Sequence, residues 1–286
     1  MKLHVESSGN GRDLVLLHGW GLHGGLWGSV ADELAGSFRV HRVDLPGHAR
    51  STWDDEATTL EDFAAAVRDV LPERCILLGW SLGGIVALCI AAGIPGRRAS
   101  DEKHIGQMPS SRDPVQKPSR SVAPPAALVL VCSTPRFLAA PDWTCGMRAE
   151  ALEDFAQRLE DDYAGTVQDF LALQVQGESR GLNLLRQMKQ ALQSAPAPHP
   201  AALRAGLEIL RQTDLRAQLP KIAQPALIIS GALDRMTPAA AGRYLAEHLP
   251  AARFELFKKA AHAPFLSDPS GFANAVVRFA ALDPPR

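Results

Sequence analysis

One run of this 286-residue chain restricts its fold more than any other. Cys75-Ile76-Leu77-Leu78 is a short apolar strand, Gly79-Trp80-Ser81-Leu82-Gly83-Gly84 follows it, and residues 85–92 are an apolar helix. A Gly-x-Ser-x-Gly string on its own is often an incidental glycine turn. Between a strand and a helix it becomes a sharp elbow, in which Gly79 and Gly83, lacking Cβ atoms, allow a turn tight enough to push the Ser81 hydroxyl out at the sheet edge. Ser81 is therefore the candidate nucleophile.

The surrounding sequence supplies the sheet that such an elbow requires. Leu14-Val15-Leu16-Leu17, Val40-His41-Arg42-Val43, Ala127-Leu128-Val129-Leu130-Val131-Cys132, Ala226-Leu227-Ile228-Ile229 and Phe254-Glu255-Leu256-Phe257 read as further short strands. They alternate with helical stretches at 26–34 and 60–71, and a last helix covers 269–279. That order predicts an α/β chain with a mostly parallel central sheet and helices on both faces, its ligand site beyond the carboxyl ends of the strands. Between 141 and 219 no strand pattern appears; four helices, at 147–159, 165–176, 182–192 and 200–210, predict an inserted helical cap. The expected organisation is a core in two parts, 1–140 and 220–286, around a cap at 141–219. The Pro-rich, polar segment 99–125 reads as a mobile surface insertion, because its composition buries too little apolar surface to offset its ordering entropy.

A serine hydroxyl is a weak nucleophile at neutral pH and needs a base that a third group orients. Asp234 follows the strand 226–229 and His262 follows the strand 254–257, so both fall at carboxyl ends of strands, in the chain order Ser, acid, His. Alone, each has a plainer reading: the Asp as a turn former, the His as a satisfied core residue. With Ser81 they predict a catalytic triad on an α/β-hydrolase fold. The oxyanion donors expected are the backbone N–H of Leu82, at the start of the elbow helix, and that of Trp20, in the loop Leu17-His18-Gly19-Trp20-Gly21. Trp20 and Trp80 flank the nucleophile and are expected to wall an apolar acyl pocket, core packing being the alternative.

Thirty Lys plus Arg against 31 Asp plus Glu leave a net charge of -1, which excludes a whole-chain field for nucleic acid or an anionic membrane. No stretch has the apolar length of a membrane span and the first residues lack an apolar signal region, so a cytoplasmic location is expected. A monomer is expected as well. Cys75, Cys89, Cys132 and Cys145 lack CxxC spacing, and neither a disulfide nor a metal site is predicted. Charge is uneven in the cap: between 180 and 216 six basic residues face Glu208 and Asp214, whereas the first cap helices are acidic.

With these residues placed, the chain resembles the pimeloyl-[acyl-carrier-protein] methyl ester esterase (BioH) family over nearly its whole length outside the insertion. The likeness rests on Leu14 to Leu22, Val43-Asp44-Leu45-Pro46-Gly47 and Leu78 to Gly84, shared with many hydrolases. It also rests on the more particular Phe170-Leu171-Ala172-Leu173-Gln174, Gly206-Leu207-Glu208-Ile209-Leu210 and Lys259-Ala260-Ala261-His262-Ala263-Pro264-Phe265. The resemblance implies a cytosolic carboxylesterase without cofactor that hydrolyses the methyl ester of pimeloyl on acyl carrier protein, through an acyl-enzyme. By matching position it implies that Trp20, Ser81, Leu82, Phe170, Leu171, Ala172, Leu173, Gln174 and His262 form the substrate site. Gly165 and Asp169 stand where the family carries basic cap residues, while Arg186 is retained. The basic stretch between 180 and 216 is where the acidic carrier is expected to dock, through Arg186 and Lys189, a solvated helical face being the alternative reading of the same charges. Ala49 follows His48 where hydrolases often carry Gly. A generic short-chain carboxylesterase or a C–C hydrolase shares the elbow and triad and stays open on fold alone. A non-catalytic receptor on the same fold would have no use for all three triad residues.

Overall fold

A computed structural model of the chain describes residues 1–95 and 123–282. Apart from 123–125, the expected insertion at 99–125 lies outside the described residues. Among the described residues there are seven strands: β1 (Val5–Ser8), β2 (Arg12–Leu17), β3 (Phe38–Val43), β4 (Ile76–Trp80), β5 (Ala127–Val131), β6 (Ala226–Gly231) and β7 (Ala252–Phe257). They form one sheet in the order β1-β3-β2-β4-β5-β6-β7. β1 runs antiparallel to β3, and the other neighbours pair in parallel. From β2 the chain goes to one side as β3 and to the other as β4, so the loops leaving β2 and β4 diverge and open a crevice at the strands' carboxyl ends.

The helices of the sheet are α1 (Gly28–Leu34), α2 (Leu60–Arg68) and α3 (Leu82–Ala91). Between β5 and β6 come α4 (Ala149–Asp161), α5 (Tyr163–Gln174), α6 (Gly181–Gln193) and α7 (Pro200–Gln212); then α8 (Ala239–His248), α9 (Pro264–Ser267) and α10 (Pro269–Leu282). Alternation along the strands divides the core in two. Val15, Leu17, Leu77, Leu128 and Leu130 point to the side of α2 and α3. Leu14, Leu16, Ile76, Leu78 and Val129 point to the side of α1 and α10. Because both faces are covered there, the central strands β4, β5 and β6 read as largely apolar runs.

Helices α4–α7 add to both sides: Leu152, Leu203 and Leu207 join the α2–α3 cluster, and Leu171, Leu184 and Met188 join the other. The segments that enter and leave this insert lie side by side. Arg136 and Asp214 form an antiparallel bridge, and the Leu215 amide donates to the Pro135 carbonyl at 2.8 Å. The Asp214 carboxylate takes Arg136 at 2.8 Å and Arg216 at 2.7 Å. Hydrogen bonds from Arg216, the largest cause, hold its pKa down at about 2 against some burial.

The sequence reading left out β1 and α8. β1 is a polar edge strand, Val5-Glu6-Ser7-Ser8, and α8 is rich in Ala, so neither displays an apolar period. No helix among the described residues is long and apolar enough to cross a membrane.

Candidate active site

Ser81 sits between the last residue of β4 and the first of α3, at φ 54° and ψ −119°. That left-handed conformation costs a non-glycine residue of order 1–3 kcal/mol and persists only where the surroundings impose it. Here they do. The Ser81 amide donates to Val131 O at 3.0 Å, and its carbonyl accepts from the Gly84 amide and the Ser133 hydroxyl, both at 2.9 Å. A Cβ on Gly79 would lie 2.3 Å from Gly83 O, and one on Gly83 would lie 2.6 Å from Leu17 O, so both positions need glycine.

Asp234 follows β6 and His262 follows β7. The His262 Nδ1–H donates to Asp234 Oδ2 at 2.7 Å, with both side chains buried. Asp234 Oδ1 accepts from the amides of Met236 at 2.8 Å and Thr237 at 3.0 Å, and the Thr237 hydroxyl lies 2.7 Å from Oδ2. Burial opposes ionisation of this carboxyl. His262 and the hydrogen bonds outweigh it and hold the pKa below the ordinary carboxylate value. With Nδ1 committed, Nε2 is the acceptor nitrogen; it is buried and, among the described residues, makes no hydrogen bond to Ser81 or to any other group. Thr237 is a member of this cluster that sequence reasoning missed; the Asp-x-x-Thr spacing, which lets the hydroxyl turn back on the carboxylate, is its signal.

The loop after β2 lies against Ser81: a Cβ on Gly19 would stand 3.2 Å from Ser81 Cβ. Two buried histidines fix its course. The His18 Nδ1–H donates to Gly19 O at 2.7 Å while its Nε2 accepts from the Leu45 amide at 2.8 Å. The His48 Nδ1–H donates to Pro46 O at 2.9 Å while its Nε2 accepts from the Gly21 amide at 3.3 Å. Each ring uses one nitrogen as donor and one as acceptor, which requires the neutral form. Burial, the largest cause, pushes His48 down to about 4 and His18 well below the usual imidazole value. Trp20 sits between these anchors; Leu82 opens α3, where the first amides have no intrahelical acceptor.

Ser81 opens into a cavity of about 220 Å³ that Trp20, Phe155, Phe170, Leu173, Leu207 and Met236 help to line, with Arg158 as its one charged wall residue. The Trp20 indole N–H donates to Leu203 O at 2.9 Å, and its ring meets Phe155 and Phe170 edge-on at 5.3 and 5.1 Å. A Cβ on Gly206 would lie 2.6 Å from Trp20 Cδ1, which accounts for the glycine inside α7. The segment from Phe170 to Gln174 splits by helix face. Phe170 and Leu173 line the cavity, Leu171 is buried in the core beside α6 residues, and Ala172 is exposed. Gln174 is buried and gives its carbonyl to the His262 amide at 2.9 Å. Trp80, expected to wall the pocket, instead packs with Trp27 and Phe265, and its indole N–H donates to His262 O at 2.7 Å.

Cys132, Asp234 and His262 bring ligand-type atoms within 4.8 Å of one another, but Asp234 and His262 are spent on each other and on the Thr237 turn. Burial, the largest cause, pushes the thiols of Cys75 and Cys89 up to about 12 and that of Cys132 well above its ordinary value. Such thiols behave as small apolar groups. Arg186 and Lys189 lie on α6, away from Ser81, Arg186 exposed and Lys189 half-buried.

The profile of the alpha/beta hydrolase family matches residues 14–275. A pimeloyl-[acyl-carrier protein] methyl ester esterase of Nitrosomonas europaea is 40% identical over 272 residues, covering 95% of this chain and 97% of its own. One of Aeromonas hydrophila is 38% identical over 280 residues, covering 98% and 99%. An esterase from Exiguobacterium antarcticum superposes with a TM-score of 0.81 over 98% of this chain and 95% of its own, and at 21% identity that likeness speaks for the fold alone. Elbow, sheet order and full-length identity thus converge, and the chain belongs to the alpha/beta hydrolase family and, within it, to the pimeloyl-[acyl-carrier protein] methyl ester esterases.

Proposed function

We propose that this protein is a carboxylesterase that removes the methyl group from pimeloyl methyl ester carried on acyl carrier protein, with Ser81, His262 and Asp234 as its triad. The observation that carries the substrate assignment is the 40% identity over almost the whole of both chains to a relative of that name. As Ser81 Oγ attacks the ester carbonyl, its proton passes to His262 Nε2, and Asp234 stabilises the imidazolium. The amides of Trp20 and Leu82 hold the tetrahedral oxyanion. The imidazolium then protonates the methoxide oxygen, which departs as methanol. Water, deprotonated by the same nitrogen, releases the carboxylate from Ser81.

The small apolar cavity supports an aliphatic acyl chain as the group next to the ester. Residues 141–219 serve as a cap that supplies most of that lining, and the carrier docks on its outer surface. Of the basic residues between 180 and 216, Arg211 is paired with Glu208 and Arg216 with Asp214 and Asp142. Among the described residues, Arg186 and Lys189 bond to the neutral side chains of Asn183 and Gln168, which supports leaving their charge to a partner. Leu182, 80% exposed, stands one turn before Arg186 on the same helix and offers an apolar contact beside the cations. The protein acts as a monomer in the cytoplasm.

The test is hydrolysis of the carrier-bound methyl ester by wild type and Ser81→Ala, together with restoration of biotin-independent growth in a strain lacking this esterase. Ser81→Ala should retain its fold and lose turnover by several orders of magnitude. Turnover of short esters without growth restoration would leave a generic esterase as the better reading.

A further inference from the structure

Glu178 lies in the turn between α5 and α6, outside the triad and away from the cavity lining, yet it faces the loop that carries His262. Its Oε1 accepts from the Ala261 amide at 2.6 Å and from the Ser267 hydroxyl at 2.8 Å, bracketing the loop before and after the histidine. Gln174, four residues earlier, takes the His262 amide on its carbonyl at 2.9 Å. Two consecutive amides at the catalytic base are thus held by the inserted helices and not by the sheet. On the other side, His262 O accepts from the Trp80 indole and Ala261 O lies 3.7 Å from Cys132 Sγ.

We infer that Glu178 is a positioning residue for His262, which ties the seat of the catalytic base to the same turn of cap that ends the acyl-binding helix. Ala261 and His262 are both buried, so an amide that loses its acceptor is left unpaired unless the loop moves or water enters the space of the carboxylate, and either change alters the seat of His262. The element that ends in Gln174 also carries Phe170 and Leu173 on the cavity wall. Displacement of α5 by a poorly fitting acyl chain would therefore be felt at His262 through Gln174 and Glu178, and a chain that fits would leave the base aligned. The role needs a carbonyl-type oxygen at the right reach. It does not need the charge, because both contacts fall on one oxygen, Oε1.

This inference rests on the esterase reading above, and the variants separate the two. Glu178→Gln keeps an acceptor at full length, Glu178→Asp keeps the charge but withdraws it by one methylene, and Glu178→Ala removes both. The assay is turnover of p-nitrophenyl butyrate, with circular dichroism and melting temperature measured on each protein. We expect Gln near wild type, and Asp and Ala lowered in kcat by about tenfold to a hundredfold with KM within about twofold, the penalty of a misplaced reacting group. A structural role alone would lower melting temperature without this kcat-against-KM split or rescue by Gln. Wild-type kcat in both Asp and Ala, or a Gln variant as slow as Ala, would overturn the assignment while leaving the triad untouched. Should Glu178→Ala not fold, the order of Gln and Asp still decides. An inactive Ser81→Ala beside an unaffected Glu178 series would refute this inference and not the esterase reading.

Discussion

Replacing Asp234 with Asn changes one oxygen for an NH₂ group, and the hydrogen bonds around it fix the consequence. Oδ1 accepts from two backbone amides, Met236 and Thr237, which cannot reverse their polarity. The single oxygen of Asn must therefore stay with them, and its NH₂ then faces His262 Nδ1, 2.7 Å away in the wild type. Two donors cannot share that bond, so the imidazole adopts the Nε2–H tautomer and presents an acceptor at Nδ1. The Thr237 hydroxyl escapes the same conflict by turning to Cys132 O, at 2.9 Å. With its proton on Nε2, His262 is no base for Ser81, and only the rare opposite tautomer reacts. The expected loss in kcat is about ten-thousand-fold, or about 5.5 kcal/mol of barrier. The assay is steady-state hydrolysis of a p-nitrophenyl ester, with thermal unfolding to establish that the variant is folded. A folded variant that loses less than about tenfold would refute the tautomer argument and the role given to Asp234.

Three further outcomes are expected. His48 binds a proton near pH 6.5 when unfolded but only at about pH 4 when folded, so stability is complete above the first value and falls as pH drops toward the second. The difference is about 3 kcal/mol. Urea unfolding across that range should show a shallower slope for His48→Gln, and an unchanged slope would dismiss the effect. Ala49 has φ 47°, in the left-handed region where a side chain costs about 1 kcal/mol, so Ala49→Gly should raise the unfolding free energy by about that amount; a destabilised variant would contradict it. Replacing Arg186 and Lys189 with Glu should lower kcat/KM for the carrier-bound ester, most at low ionic strength, and leave a small neutral ester unchanged. Equal losses on both substrates would point to damage in the cap.

Much of this was legible before any coordinates, for physical reasons. Strands buried on both faces announce themselves as apolar runs, and glycines forced by close backbone approach announce the elbow. What escaped depends on direction or on distant partners. Trp80 adjoins Ser81 in sequence, but it is two residues from Leu78 on a pleated strand and so points with it into the α1–α10 side of the core. The family resemblance treats Phe170 to Gln174 as one substrate segment. A helical period separates Phe170 and Leu173 from Leu171, which faces the core, and Ala172, which faces solvent. The free charge of the basic stretch is smaller than its residue count suggests for a similar reason: Arg216 reaches across to Asp142, a partner 74 residues away.

The clasp between Arg136 and Asp214 also bears on how such enzymes diversify. Because the insert leaves the strands and returns to them at one place, its length can change without altering how the strands pair, provided that the surface it packs on the core is kept. Closing that loop costs free energy that grows only with the logarithm of its length. Exchange of everything between the two clasped residues would then leave strand pairing intact as long as the new insert covers the same core surface and supplies acceptors for the Ala261 and His262 amides, and a lineage that keeps those contacts is free to recruit new acyl groups by rewriting the rest of the insert. A chimera in which a relative's insert is grafted between Arg136 and Asp214 should inherit the donor's chain-length preference while retaining the host's Ser81 chemistry, provided that the graft also brings its own counterparts of Gln174 and Glu178.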